Sequence, residues 1–281
     1  LGLSTGTFYP PAMHATTEEI IEVGRPLTAH QGLYVTHMRD EADHVMDSLD
    51  ETLRIGRALN IQVVVSHHKV TGTENFGRSA QTLAYLDEAM KHQRVCMDCY
   101  PYNASSTMIR NEPDMLDSPV LIASSEPHPE CVGRYLADIA KDWGLSVEQA
   151  ATQLQPGTAI YFKMHEDDVQ RILAFDETMV GSDGIPVGDR PHPRLWGTFP
   201  GVLGHYSRDL GPSANTPTSF SSTPRRCAMR PTMTIRPKWL KASTPSSSTA
   251  PWPGTKAGTP ARAAVRCSRV LLVEAPAWVE A

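Results

Sequence analysis

The chain has 281 residues, 40% of them hydrophobic, and a formal net charge of −5. That is enough apolar material for one large core or two small ones, and the negative balance gives nucleic acid no electrostatic reason to bind. No apolar run approaches the roughly 18–20 residues of a membrane span, the first residues do not read as a leader, and five cysteines do not read as a disulfide framework, so a cytoplasmic location is expected.

In chain order, Leu1 to Thr7 reads as the exit of a strand into the loop Phe8-Tyr9-Pro10-Pro11, so the chain is expected to start in mid-domain. Thr16 opens a helix through the capping-box pair Thr16 and Glu19, ahead of Ile20, Ile21, Val23 and Leu27. Leu33-Tyr34-Val35-Thr36 and Ile61-Gln62-Val63-Val64-Val65 are short β-branched runs, the signature of strands buried on both faces. Between them, Asp43 to Leu59 carries Val45, Leu49, Leu53 and Ile55 at helical spacing. The unit is strand–helix–strand, and such a crossover makes its two strands parallel.

A helix over about 79–92 and a strand at Val95-Cys96-Met97-Asp98 follow, leading into Tyr100-Pro101-Tyr102-Asn103. Residues 104–157 break the rhythm with Pro113, Pro119, Pro127 and Pro129; a long loop is expected there, then helices near 131–142 and 146–153. Ala159-Ile160-Tyr161-Phe162 reads as a strand, Asp167 to Phe175 as a helix, and Thr178 to Asp183 as the last strand. Strand and helix thus alternate from 16 to 183 with one insertion, the pattern of a parallel α/β sheet or barrel.

After Gly211 the composition changes. Residues 212–281 hold no histidine and no aspartate, and their 10 Lys and Arg against two Glu give +8, leaving −13 for residues 1–211. Pro, Ser, Thr, Ala and Arg dominate without helical or strand period. The expected organisation is a domain over 1–211 and a tail over 212–281, either a basic disordered segment or the product of a shifted reading frame.

His37 and His67 close the two strands of the 33–69 unit and therefore sit at the same, C-terminal ends of neighbouring parallel strands. In α/β barrels and open α/β sheets that end carries the chemistry, and neutral imidazole is the commonest protein ligand for zinc. A lone histidine at a strand end is more often structural. Two at matching ends, followed by charged residues (Met38-Arg39-Asp40-Glu41 and His68-Lys69), suggest metal ligation. Gly181-Ser182-Asp183-Gly184 brings a carboxylate to another strand end. Alone it reads as an Asp-Gly turn. Beside a metal-bound water it could act as a base.

The segments YVTHMRDE (34–41), VVVSHHK (63–69), Asp98-x-Tyr100-Pro101-Tyr102, AIYF (159–162), GSDG (181–184) and RPHPRLWGTFPGVLGHYSRDLG (190–211) together resemble the N-acyl-D-amino-acid deacylases of the amidohydrolase superfamily. The resemblance covers residues 1–211. It implies a TIM-like (β/α) barrel of the metal-dependent hydrolase type, here lacking its first strands, and zinc-dependent hydrolysis of a small-molecule N-acyl-D-amino acid. In that family a histidine closes strand five, another strand six, and an aspartate strand eight, which His37, His67 and Asp183 match in order. The two histidines would hold zinc and Asp183 would be the general base, then acid. Lys69, Tyr100, Tyr9 and Arg194 would recognise the α-carboxylate, with Tyr161 and Ser106 lining the pocket. Neither nucleic acid nor membrane is implied as a partner.

The family also carries an His-x-His pair on its first strand and a metal-binding cysteine on its second; no His-x-His occurs in this sequence, and Cys96 falls on a different strand. Two histidines fall short of the usual catalytic zinc shell, so weak zinc binding and low turnover are expected. Two further readings remain: a cyclic-amide hydrolase of the same superfamily, and a non-catalytic remnant. Gly2-Leu3-Ser4-Thr5-Gly6 fits a nucleophile elbow in letters only, since no helix follows it.

Overall fold

The structure is a computed structural model and describes residues 2–210. They lie within one compact unit; the tail singled out by composition lies outside the described residues. In chain order the strands are β1 (Gly2–Gly6), β2 (Leu33–His37), β3 (Gln62–Val65), β4 (Val95–Cys99), β5 (Ser105–Met108), β6 (Val120–Ser125), β7 (Gly157–Tyr161) and β8 (Thr178–Val180). The helices are α1 (Thr17–Gly24), α2 (Val45–Leu59), α3 (Ser79–Met90), α4 (Leu136–Trp143), α5 (Val147–Gln153), α6 (Glu166–Leu173) and α7 (Arg194–Gly201), the last continuing into a π-helical turn over Val202–Asp209.

Strands β1-β2-β3-β4-β8 form one parallel sheet in that spatial order. Each connection carries at least one helix, as parallel neighbours require. This is the strand order of a continuous (β/α)-barrel wall. Thr16 caps α1 with a complete capping box, its side chain accepting from the Glu19 N–H while Glu19 bonds back to the Thr16 N–H. α2 ends in left-handed Asn60 and buries Val45, Leu49, Leu53 and Ile55 in a shared core with Val63, Val65, Met97 and Leu86. Gly56 lets α2 lie close on β3: a Cβ there would meet Val63 Cγ2 at 2.2 Å.

The expectation fails in the insertion. Residues 104–157 contain β5 and β6, where only a loop and helices were expected, and β7 lies in the middle of a separate three-stranded sheet, antiparallel to both. Prolines drew the loop reading, yet Pro119 stands just before β6, where a missing N–H costs the sheet little. Ser105-Ser106-Thr107-Met108 is short and polar, so it carries no strand period. This sheet, α4 and α5 bury a second core around Ile122, Leu136, Ile139, Leu154 and Tyr161.

Cys99 and Cys131 are buried free thiols, and Cys96 is buried in β4. No helix among the described residues is long and apolar enough to cross a membrane.

Candidate active site and metal centre

The parallel register carries the histidines to one rim. His37 is the last residue of β2, paired with Gly6 of β1, and His67 lies two residues past the end of β3. Their rings pack edge to face with centroids 4.4 Å apart, and Phe8 and Tyr9 flank the His37 ring at 5.1 and 5.0 Å. His67 and Asp183 both have left-handed backbones, φ 38° and 46°. Non-glycine residues hold that conformation at a cost of order 1–3 kcal/mol, and such strain clusters at functional sites.

Glu41 completes the group. Donor atoms of His37, Glu41 and His67 all lie within 4.8 Å of one another. His37 Nε2 is buried without a hydrogen-bond partner, 3.7 Å from Glu41 Oε2. Burial pulls the His37 pKa down to about 3, with Glu41 opposing it in part. The ring is therefore neutral at ordinary pH and offers a lone pair. Two imidazoles and a carboxylate are the donor set of hydrolytic zinc sites. The residues present thus fit a zinc ion. The sequence pattern points only to the two histidines; the one hint of Glu41 is its position four residues after His37, beyond the strand end.

Burial raises the Glu41 pKa, but Lys69 above all, then His37 and His67, outweigh it and hold the carboxyl well below the usual range. Lys69 Nζ donates to Glu41 Oε1 and Oε2 at 2.8 and 2.9 Å and lies 2.7 Å from His67 Nδ1, which is itself 3.2 Å from Glu41 Oε1. Two of the ammonium hydrogens are held by Glu41, so Lys69 must loosen that pair before it can take a substrate carboxylate fully.

Tyr100 and Arg194 are better placed. Both are buried, the guanidinium stacks 4.7 Å from the Tyr100 ring centroid, and Lys69 Nζ lies 5.6 Å from the same ring. Tyr100 OH and Arg194 Nε are buried donors without partners. Burial pushes the Tyr100 phenol well above its ordinary value, so it stays a donor. Arg194 Nη2 forms an ion pair with Asp183 Oδ2 at 2.9 Å and donates to the Ser106 carbonyl at 3.1 Å.

The remaining residues spread around this centre. Tyr9 OH hydrogen-bonds Thr107 Oγ1 at 3.1 Å. Ser106 meets Arg194 through its backbone. Tyr161 sits in the insertion core, its hydroxyl accepting from the Arg110 N–H and donating to the Met108 carbonyl. Asp98, at the end of β4, also reaches the centre, accepting from the His67 backbone N–H at 2.9 Å.

No protein-family model matches the chain. The D-aminoacylase of Alcaligenes xylosoxydans xylosoxydans is 58% identical over 211 residues, which cover 75% of this chain and 44% of that protein. A D-aminoacylase crystal structure, described as defining a novel subset of amidohydrolases, superposes with a TM-score of 0.73 at 58% identity, covering 77% of this chain and 45% of that one. The N-acyl-D-glutamate deacylase of Bordetella bronchiseptica, solved with zinc and a phosphonate mimic of the tetrahedral intermediate, gives 0.71 at 45% identity, covering 74% and 44%. The chain spans less than half the length of each of these relatives. Over about three quarters of its length the chain is thus a homologue of D-aminoacylase and of the N-acyl-D-amino-acid deacylases, which are amidohydrolases.

Proposed function

We propose that the barrel segment over residues 1–211 serves the zinc-dependent hydrolysis of N-acyl-D-amino acids to a D-amino acid and a carboxylate. One observation carries this reading: His37, Glu41 and His67 bring three metal donors together at the strand-end rim. His37 and His67 would hold the zinc, with Glu41 as the third donor or as the acceptor that orients His67. Bound there, zinc would polarise the amide carbonyl and bring the pKa of a water to about 7.

Asp183 takes the proton of the attacking water on its carboxylate and passes it to the departing amine nitrogen. Arg194 Nε and Tyr100 OH bind the substrate α-carboxylate, and Lys69 joins them once freed from Glu41. With carboxylate and amide both fixed, only one enantiomer directs its side chain away from the wall. Tyr9 and the Ser106 backbone hold the rim around this clamp, and Tyr161 supports it from the insertion core. Residues 212–281 are the basic tail that composition sets apart, and the protein works in the cytoplasm without nucleic acid or membrane.

Zinc titration of the chain, with turnover of N-acetyl-D-methionine, its L-enantiomer and a hydantoin, tests the reading. Weak zinc binding and slow turnover that still prefers the D-amide are expected. Hydantoin turnover would favour the cyclic-amide alternative, and absence of both zinc and turnover would leave a non-catalytic remnant.

A further inference from the structure

We infer that Asp98 is a positioning residue for the metal centre: its carboxylate holds the backbone of His67 in the left-handed conformation that turns the imidazole toward His37. This rests on the reading of His67 as a zinc ligand given above.

The chain runs straight through β3, then at His67 takes φ 38°. Histidine tolerates that turn better than most residues, but it still costs free energy that neighbouring contacts must offset. Asp98 grips it at two points. Its Oδ1 accepts from the His67 N–H at 2.9 Å, and its backbone carbonyl accepts from the His68 N–H at 2.7 Å. Ser66 Oγ approaches the other carboxylate oxygen at 3.5 Å, at the edge of hydrogen bonding. Ser66 also bonds back to the Thr36 carbonyl of β2 through its N–H at 3.1 Å, so the turn is anchored to both neighbouring strands.

The far side of Asp98 is closed as well. Gly181 follows β8, and its N–H bonds to the Cys99 carbonyl at 3.1 Å. A Cβ on Gly181 would lie 2.8 Å from Asp98 Oδ1 and 3.2 Å from its Cγ. Glycine at 181 thus leaves room for the carboxylate where Oδ1 reaches the His67 amide. Asp98, Gly181 and His67 come from three neighbouring strands of the sheet, and the carboxylate links the His67 turn of β3 to the strand end that presents Asp183.

The test uses the full chain with zinc and with cobalt(II) as spectroscopic probe. Asp98→Ala should weaken metal binding by about 10–100-fold, the range seen when outer partners of metal ligands are removed, and should alter the cobalt absorption bands. Asp98→Asn keeps an acceptor at Oδ1 and should restore affinity to within about threefold. Gly181→Ala retains the aspartate but displaces Oδ1, and should reproduce the Asp98→Ala defect; it decides the matter if Asp98→Ala does not fold. A fall in Tm with metal affinity and cobalt bands unchanged would overturn the inference, since that is what a purely structural residue does. Failure of the unsubstituted chain to bind metal, or binding insensitive to His67→Ala, would instead overturn the zinc-site reading itself, and the inference with it.

Discussion

Arg194 and Asp183 face each other across 2.9 Å at the site, the guanidinium only 2% exposed and the carboxylate 31%. The proposed carboxylate clamp and the proposed base are thus one ion pair, which aims Arg194 along the rim. Arg194→Gln should lower kcat/KM for N-acetyl-D-methionine by about 10–100-fold, mainly through KM, as loss of a charged hydrogen bond of ~1.5–3 kcal/mol requires. The corresponding amide, without an α-carboxylate, should show no further loss. Steady-state kinetics on both substrates checks this, and an unchanged KM would remove Arg194 from carboxylate recognition.

Glu41 and Lys69 form a buried pair, 10% and 5% exposed at their side chains. Removing one partner leaves the other charge desolvated and uncompensated. Glu41→Gln should therefore destabilise the fold by about 3–5 kcal/mol. The double variant Glu41→Gln/Lys69→Met should recover most of that loss. A double-mutant cycle by urea denaturation measures it, and additive losses would show that the two charges do not interact.

His192 supports Arg194 from its own loop, its Nδ1 accepting the Arg194 N–H at 2.9 Å. Burial first, then the Arg194 charge, lowers its pKa from 6.5 to about 4. The folded chain therefore binds fewer protons here than the unfolded one. The stabilising contribution is complete above about pH 6.5 and is lost as pH falls toward 4. His192→Asn keeps an acceptor without the titration, so its stability should fall less steeply over that window. Chemical denaturation at stepped pH would show parallel curves if His192 plays no part.

Gly56→Ala should destabilise the protein although alanine is the better helix former. Its Cβ would lie 2.2 Å from Val63 Cγ2. Pushing α2 off β3 costs about 1–3 kcal/mol, more than the ~1 kcal/mol of helix propensity it recovers. A raised urea midpoint would contradict the close helix–strand contact.

The sequence by itself determined the local elements and the rim. The capping box at Thr16 and Glu19, the helical stripe of α2, and the β-branched runs of β2 and β3 all act within a few residues, and the crossover rule then makes β2 and β3 parallel. Those local rules alone bring His37 and His67 to the same strand ends. Only the tertiary structure decided what meets across long separations: Glu41 between the two imidazoles and Lys69, Asp98 beneath His67, Arg194 on Asp183. It also decided that β7 pairs with β5 and β6 rather than joining the parallel sheet. Short polar strands and single carboxylates carry no period, and a left-handed φ at a histidine is imposed by neighbours from other strands. Such features are fixed by packing and hydrogen bonding between distant segments, so no local pattern announces them.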